Sequence, residues 1–170
     1  MLIRQEIIND YNEVYKLIKE AFSAEKHSDG TEQDLVTALR KNKDAFIPKL
    51  SLVAEHEGKI IGHILFTKMK VDNDTVLALA PLSVKPKYQR HGIGTALILE
   101  GHRIAKELGY AYSIVLGSET YYSRVGYLPA YKFNIIVPDG IPVENYMAIQ
   151  LIPNTKPLYG KVSYAKEFGM

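Results

Sequence analysis

Hydrophobic positions along this chain change their period several times, and each change marks an element. LIRQE, near the start, reads as a short strand. In DYNEVYKLIKEAF, Val14, Leu17, Ile18, Ala21 and Phe22 recur at helical spacing, with Asn9 or Asp10 as the cap. AEKHSDG is polar and reads as a loop. TEQDLVTALRK restarts the helical period, with Thr31 as cap and Asp34 three residues on, close to a capping box. LSLVAEHEGKIIGHILFTKMKV reads as two strands joined at EHEGK, where Gly58 supplies the turn, and VDNDT is a second turn. VLALAPLSV is almost continuously apolar and reads as a buried strand. GTALILEGHRIAKELG returns to helical spacing, with Leu97, Gly101, Ile104 and Leu108 on one face and Gly109 placed to end the helix. YAYSIVLG reads as a strand, SETYYSRV as a short segment, and YLPAYKF and ENYMAIQLI as two further strands. Hairpin-joined strands followed by a strand–helix–strand crossover predict a mixed α/β sheet flanked by helices.

Composition narrows the classes. A chain of 170 residues, 46% hydrophobic and 24% charged, suits one domain over residues 1–170. The net charge of +2 gives no case for nucleic acid or an anionic membrane as partner. The absence of cysteine removes disulfides, thiolate nucleophiles and cysteine–zinc sites, and the five histidines are scattered, so no metal is expected. MLIRQEIIND lacks the pattern of a signal peptide, and no stretch approaches a membrane span, so a cytoplasmic protein is expected.

Chemistry concentrates in KYQRHGIGTAL, residues 87–97. A strand, a glycine turn and a helix start aim several free backbone N–H groups at one point. Gly92 and Gly94 permit close approach and positive φ, and Arg90 adds a charged donor. The pattern suits a phosphate or pyrophosphate, and it also serves as a tight connection that binds nothing. No lysine follows Gly94, so this is not a Walker loop. Leu97 occupies the third glycine position of a dinucleotide fingerprint, and the loop comes late in the chain.

The pattern Gln89-x-x-Gly92-x-Gly94, preceded by LSVKPKY, resembles the acetyl-CoA signature of the GNAT N-acetyltransferase superfamily. The resemblance is strongest over residues 76–130, where YYSRVGYLPA places Tyr122 four residues before Gly126 and Tyr127. GKIIGHILF, MAIQLIP and GKVSYAKEF resemble a bacterial branch of that superfamily. It implies an open mixed sheet whose central strand is bulged and splayed, which reconciles Pro81 with a strand. It implies acetyl-CoA as co-substrate, with the pyrophosphate on the loop of Gln89, Arg90, His91, Gly92, Ile93, Gly94 and Thr95. The pantetheine arm would pair with backbone groups of Leu82, Ser83 and Val84, and Ser118 would lie beside the cofactor.

The implied reaction is direct transfer of the acetyl group to a primary amine of a small molecule or peptide. The rival reading is an acyl-CoA-binding sensor or interaction module with little catalysis. Amine attack on a thioester needs a neutral amine, a stabilised oxyanion and a proton for the thiolate. The resemblance places Tyr122 as the proton donor, with Tyr121 packing or facing the substrate. Candidates for the base are Glu119, just after the cofactor strand, and His63, inside GHILF, with ordered water as a third route. His63 equally suits a hydrogen-bonded core position and Glu119 a helix N-terminal charge. His27 and Glu32 fall where relatives build one wall of the acceptor pocket, or in a solvated loop. The acceptor and the oligomeric state are not legible.

Overall fold

The alternating segments become strands, and the longest of them build the centre of the molecule. In the computed structural model, which describes residues 1–170, β1 (Leu2–Gln5), β2 (Phe46–His56), β3 (Lys59–Val71) and β4 (Asp74–Val84) form an antiparallel meander. β5 (Tyr112–Leu116) lies parallel to β4. The sheet continues antiparallel through β8 (Tyr146–Gln150) to β6 (Leu128–Pro129). The short strands β7 (Ile135–Ile136) and β9 (Gly160–Ser163) pair with each other, and β9 also pairs with the end of β3.

Helices cover both faces. Leu52 and Ile64 pack into one core with Ile93, Leu97 and Ile98 of α3 (Ile93–Glu107). Their neighbours Val53 and Leu65 pack into another with Val14 and Leu17 of α1 (Tyr11–Phe22) and Val36 and Leu39 of α2 (Glu32–Arg40). Adjacent strand residues point to opposite faces, so α3 and the α1–α2 pair sandwich the sheet. Gly101 lets α3 lie close to β3, because a Cβ there would run into the Phe66 ring.

The central strand departs from regular pairing in two ways. Ile64 opposes Leu82 but Phe66 opposes Leu79, so β4 spends one extra residue at Ala80–Pro81. That is a β-bulge. It shifts the pleat, so Leu79 and Leu82 both contact the α3 core although they are three residues apart. Further, β4 pairs with β5 only through Leu77 and Ala78. From Leu79 to Val84 the two parallel strands diverge, and β4 presents that edge unpaired.

Several expectations need correction. YLPAYKF is not a strand: only Leu128–Pro129 pair, and Ala130–Phe133 form a 3-10 turn. Thr31 occupies the start of α2 but does not cap it; its hydroxyl donates to Asp29 Oδ1 at 2.7 Å instead. Asp10 caps the preceding 3-10 turn rather than α1, accepting from the Ile7 amide at 2.8 Å while pairing with Arg4. Leu108 is exposed, because Gly109 turns the chain at φ 88° and His102 and Ala105 take the inner face. β2 begins at Phe46, earlier than its apolar pattern suggests, and β7 and β9 carry no strand pattern of their own.

Candidate active site

The diverging edge of β4 leads directly into the glycine loop. Arg90 and Gly92 take positive φ, 65° and 82°, which turn the chain through the loop and into α3. None of the amides from Arg90 to Thr95 donates to a backbone carbonyl, and the first helical bond here runs from Ala96 to Gly92. Free donors at a helix start are an anion site by geometry and by dipole. Gln89 Nε2 donates to the Val84 carbonyl at 3.0 Å and clamps the loop to the end of β4. The His91 ring meets the Tyr88 carbonyl at 3.2 Å.

Gly94 faces the divergence itself. A Cβ there would lie 2.8 Å from the Tyr121 hydroxyl, 3.5 Å from Leu82 and 3.8 Å from Val84. Tyr121 belongs to α4 (Glu119–Tyr122), which follows β5 and closes the far side of the opening. Its hydroxyl and Thr95 Oγ1 lie 3.3 Å apart, joining α4 to the start of α3. Ser118 caps α4, accepting from the Tyr121 amide at 3.3 Å, and Glu119 stands exposed in its first turn.

Tyr122 sits half-buried between the rings of Tyr121 and Tyr127, with centroids 5.0 and 5.6 Å away. Its ring lies against Gly117, which has no side chain to displace it. Burial, with the neighbouring Tyr121 adding to it, raises the Tyr122 pKa above the ordinary phenol value. Tyr122 therefore stays protonated at neutral and mildly alkaline pH. Tyr127 is spent in the core, where its hydroxyl bonds His102 Nε2 at 3.0 Å and Ser113 Oγ at 2.8 Å.

The structure therefore brings Leu82, Val84, the loop, Tyr121 and Tyr122 around one opening. His63 and Ser83 lie on the other face of the sheet. His63 is fully buried, with Nε2 3.2 Å from Ser51 Oγ and 3.6 Å from Glu6 Oε2. Burial, reinforced by the charge on Arg40, lowers the His63 pKa from 6.5 to about 3, so its contact with Glu6 is not an ion pair at neutral pH. His27 is exposed in the loop before α2, and Glu32 accepts from Ser28 at 2.7 Å. Sequence reasoning missed Tyr121 as the clasp between α3 and α4. It also missed Glu6 and Arg40, which pair at 2.6 Å in the interior. Charges at element ends carry no pattern that separates buried from solvated ones.

The buried histidines have a measurable consequence. Burial, with a smaller contribution from Lys106, lowers His102 to about 4. Both rings are neutral in the folded chain and gain protons below pH 6.5 once it unfolds. The unfolded state then binds more protons, so stability falls as pH drops from about 6.5 toward 4. Each ring contributes up to about 1.4 kcal/mol per pH unit in that window. Urea unfolding at pH 7 and pH 5 measures the effect, and equal stabilities would contradict neutral burial of the two rings.

A parallel pair of strands splayed beside a glycine-bound helix start, with a phenol across the opening, is the architecture of the N-acetyltransferases. The chain belongs to the acetyltransferase (GNAT) family, whose model matches residues 11–133. It is 39% identical over 125 residues to the uncharacterized N-acetyltransferase YjhQ of Escherichia coli K12, covering 71% of this chain and 66%, just under two thirds, of that protein. The crystal structure of the GNAT N-acetyltransferase YhbS of Escherichia coli in complex with CoA superposes with a TM-score of 0.86 at 29% identity, covering 99% of this chain and 92% of that one. A GNAT acetyltransferase of Brucella melitensis in complex with acetyl-CoA gives 0.81 at 31% identity, covering 98% and 97%. No helix here is long and apolar enough to cross a membrane.

Proposed function

We propose that this protein transfers the acetyl group of acetyl-CoA to a primary amine of a small molecule or peptide. The observation that carries the reading is the opening between β4 and β5, bounded by the free amides of Arg90–Thr95 and by Tyr122. Relatives of similar fold are complexed with CoA and acetyl-CoA, which supports the same co-substrate here.

In this reading the loop amides and Arg90 hold the pyrophosphate, and the pantetheine arm pairs with the free edge of β4 at Leu82–Val84. Carrying the thioester along that edge brings its sulfur toward Tyr122. The amine nitrogen attacks the carbonyl carbon, the C–N bond forms, the C–S bond breaks, and Tyr122 gives its proton to the thiolate. The chain has no cysteine to form a thioester intermediate, so both substrates are bound at once. The proton on the amine leaves by one of three routes, toward exposed Glu119, toward buried His63, or to ordered water.

A screen with acetyl-CoA and a panel of amino acids, polyamines, aminoglycosides and peptides, read by mass spectrometry, tests the function. Acetylated product with release of coenzyme A is the expected result. Tight cofactor binding without turnover on any amine would favour a sensor instead, a reading that the lack of a carboxylate between Val76 and Val84 of the bulged strand favours.

A further inference from the structure

Three buried side-chain polar atoms have no partner: Thr67 Oγ1 on β3, and two that lie opposite each other on neighbouring strands. The facing pair is His63 Nδ1 and Ser83 Oγ. His63 is 0% exposed and Ser83 2%. The two residues oppose each other in the antiparallel register of β3 and β4, so their side chains share one face. Opposed Cβ atoms in such a pair lie about 4.5–5.5 Å apart. A buried hydroxyl and imidazole left unbonded are costly, and a pair of them side by side is a polar site within an apolar face.

The other ring nitrogen continues the line. His63 Nε2 is 3.2 Å from Ser51 Oγ, and Ser51 Oγ donates to Glu6 Oε1 at 2.9 Å. Arg40 holds both oxygens of that carboxylate, from Nε at 3.1 Å and from Nη2 at 2.6 Å. Glu6 borders an open cleft of about 500 Å³, shared with Gln5, Ile7, Tyr11, Phe46 and Pro48. No residue of the glycine loop or of α4 lines that cleft. The array thus runs along the face of the sheet that packs on α1 and α2, from the bulged half of β4 to the cleft beside β1.

We propose that Ser83, His63, Ser51 and Glu6 form a buried proton relay that carries the amine proton from the bulged strand to the cleft beside β1. The proposal rests on the acetyl-transfer reading above and names the route that reading left open. After attack the nitrogen is positively charged and must lose a proton before the C–S bond breaks productively. That proton passes by way of the Ser83 hydroxyl and one bridging water to His63 Nδ1, since the two atoms make no direct hydrogen bond. In the same event Nε2–H goes to Ser51 Oγ, and the Ser51 proton goes to Glu6 Oε1. The ring only exchanges tautomers and never holds a positive charge, which agrees with its depressed pKa. Glu6, whose side chain is 1% exposed where the residue borders the cleft, gives the proton up at that edge. No base on the bulged strand itself is then required.

Ser83 offers the cleanest test, because alanine and threonine both fit a strand and only threonine keeps a hydroxyl. With an amine that wild type acetylates, Ser83→Ala lowers kcat about ten- to a hundred-fold, at the low end of positioned acid–base effects. The KM for acetyl-CoA stays the same, and Ser83→Thr restores most of kcat. His63→Gln gives a loss like that of Ser83→Ala, and urea unfolding of each variant reports whether it folds. If wild type turns over and folded Ser83→Ala keeps its kcat, the relay is wrong and acetyl transfer stands. Equal loss in Ser83→Ala and Ser83→Thr also overturns it, since the hydroxyl would then not matter. A wild type that binds acetyl-CoA and acetylates no amine removes the acetyl-transfer reading and the relay with it.

Discussion

A valine at Gly94 weakens acetyl-CoA binding by about 10²-fold, or about 2.8 kcal/mol at 1.4 kcal/mol per tenfold. The direction of the missing Cβ decides this. It points at the Tyr121 hydroxyl, Leu82 and Val84, the three walls of the opening between β4 and α4. A branched side chain there displaces Tyr121, breaks its contact with Thr95, and fills the space that the pantetheine arm would take. Gly92→Val acts differently. Nothing lies within 4 Å of that position, but its φ is 82°, which a branched residue adopts only with strain of at least about 1–2 kcal/mol. The loop would twist and its amides would no longer converge. Calorimetry with acetyl-CoA, together with thermal unfolding of both variants, separates the two effects. Gly94→Val keeps near-wild-type stability, because a tyrosine tip can move, whereas Gly92→Val loses some stability along with affinity. Unchanged affinity in both would remove the loop from the cofactor site.

Tyr122→Phe lowers kcat about 10²-fold, the low end of the usual range for a positioned acid, because coenzyme A thiolate is itself a fair leaving group. The phenylalanine keeps the ring packing against Tyr121, Tyr127 and Gly117, so folding is preserved. Cofactor affinity changes little, since the loop lies on the opposite side of the opening. The Tyr122 hydroxyl makes no hydrogen bond to the rest of the protein, unlike those of Tyr121 and Tyr127. A hydroxyl with no structural bond to lose is the strongest reason to expect a purely kinetic effect. Measuring kcat, cofactor affinity and melting temperature on one preparation decides it. A normal kcat at neutral pH excludes Tyr122 as the required acid. A lost kcat with lost folding makes it structural.

Local pattern carried most of the elements. The period of Val14, Leu17 and Ile18 placed α1, the run VLALAPLSV placed β4, and the glycines marked the loop, because these signals depend on residues a few positions apart. The family signature is of the same kind, with all its landmarks in one continuous stretch. YLPAYKF misled because its aromatic residues have strand-like spacing, yet only two of its residues meet a partner strand.

Register, burial and partnership were beyond that reach. Pro81 signalled a disturbance, but only the pairing of Ile64 with Leu82 and Phe66 with Leu79 located the extra residue. Gly94 announced flexibility, while its role as an empty wall of the opening needed Tyr121, 27 positions later in the sequence, to be brought against it. His63 was visible as a titratable residue on an apolar strand, but its partners come from three other elements or their ends: Glu6 after β1, Arg40 closing α2, and Ser51 within β2. The sequence by itself determined the class of fold, the helix that follows the glycine loop and the chemistry that such a loop selects. The tertiary structure alone decided which polar side chains face each other, because a pleated sheet joins residues far apart in the chain through a register that no local period records.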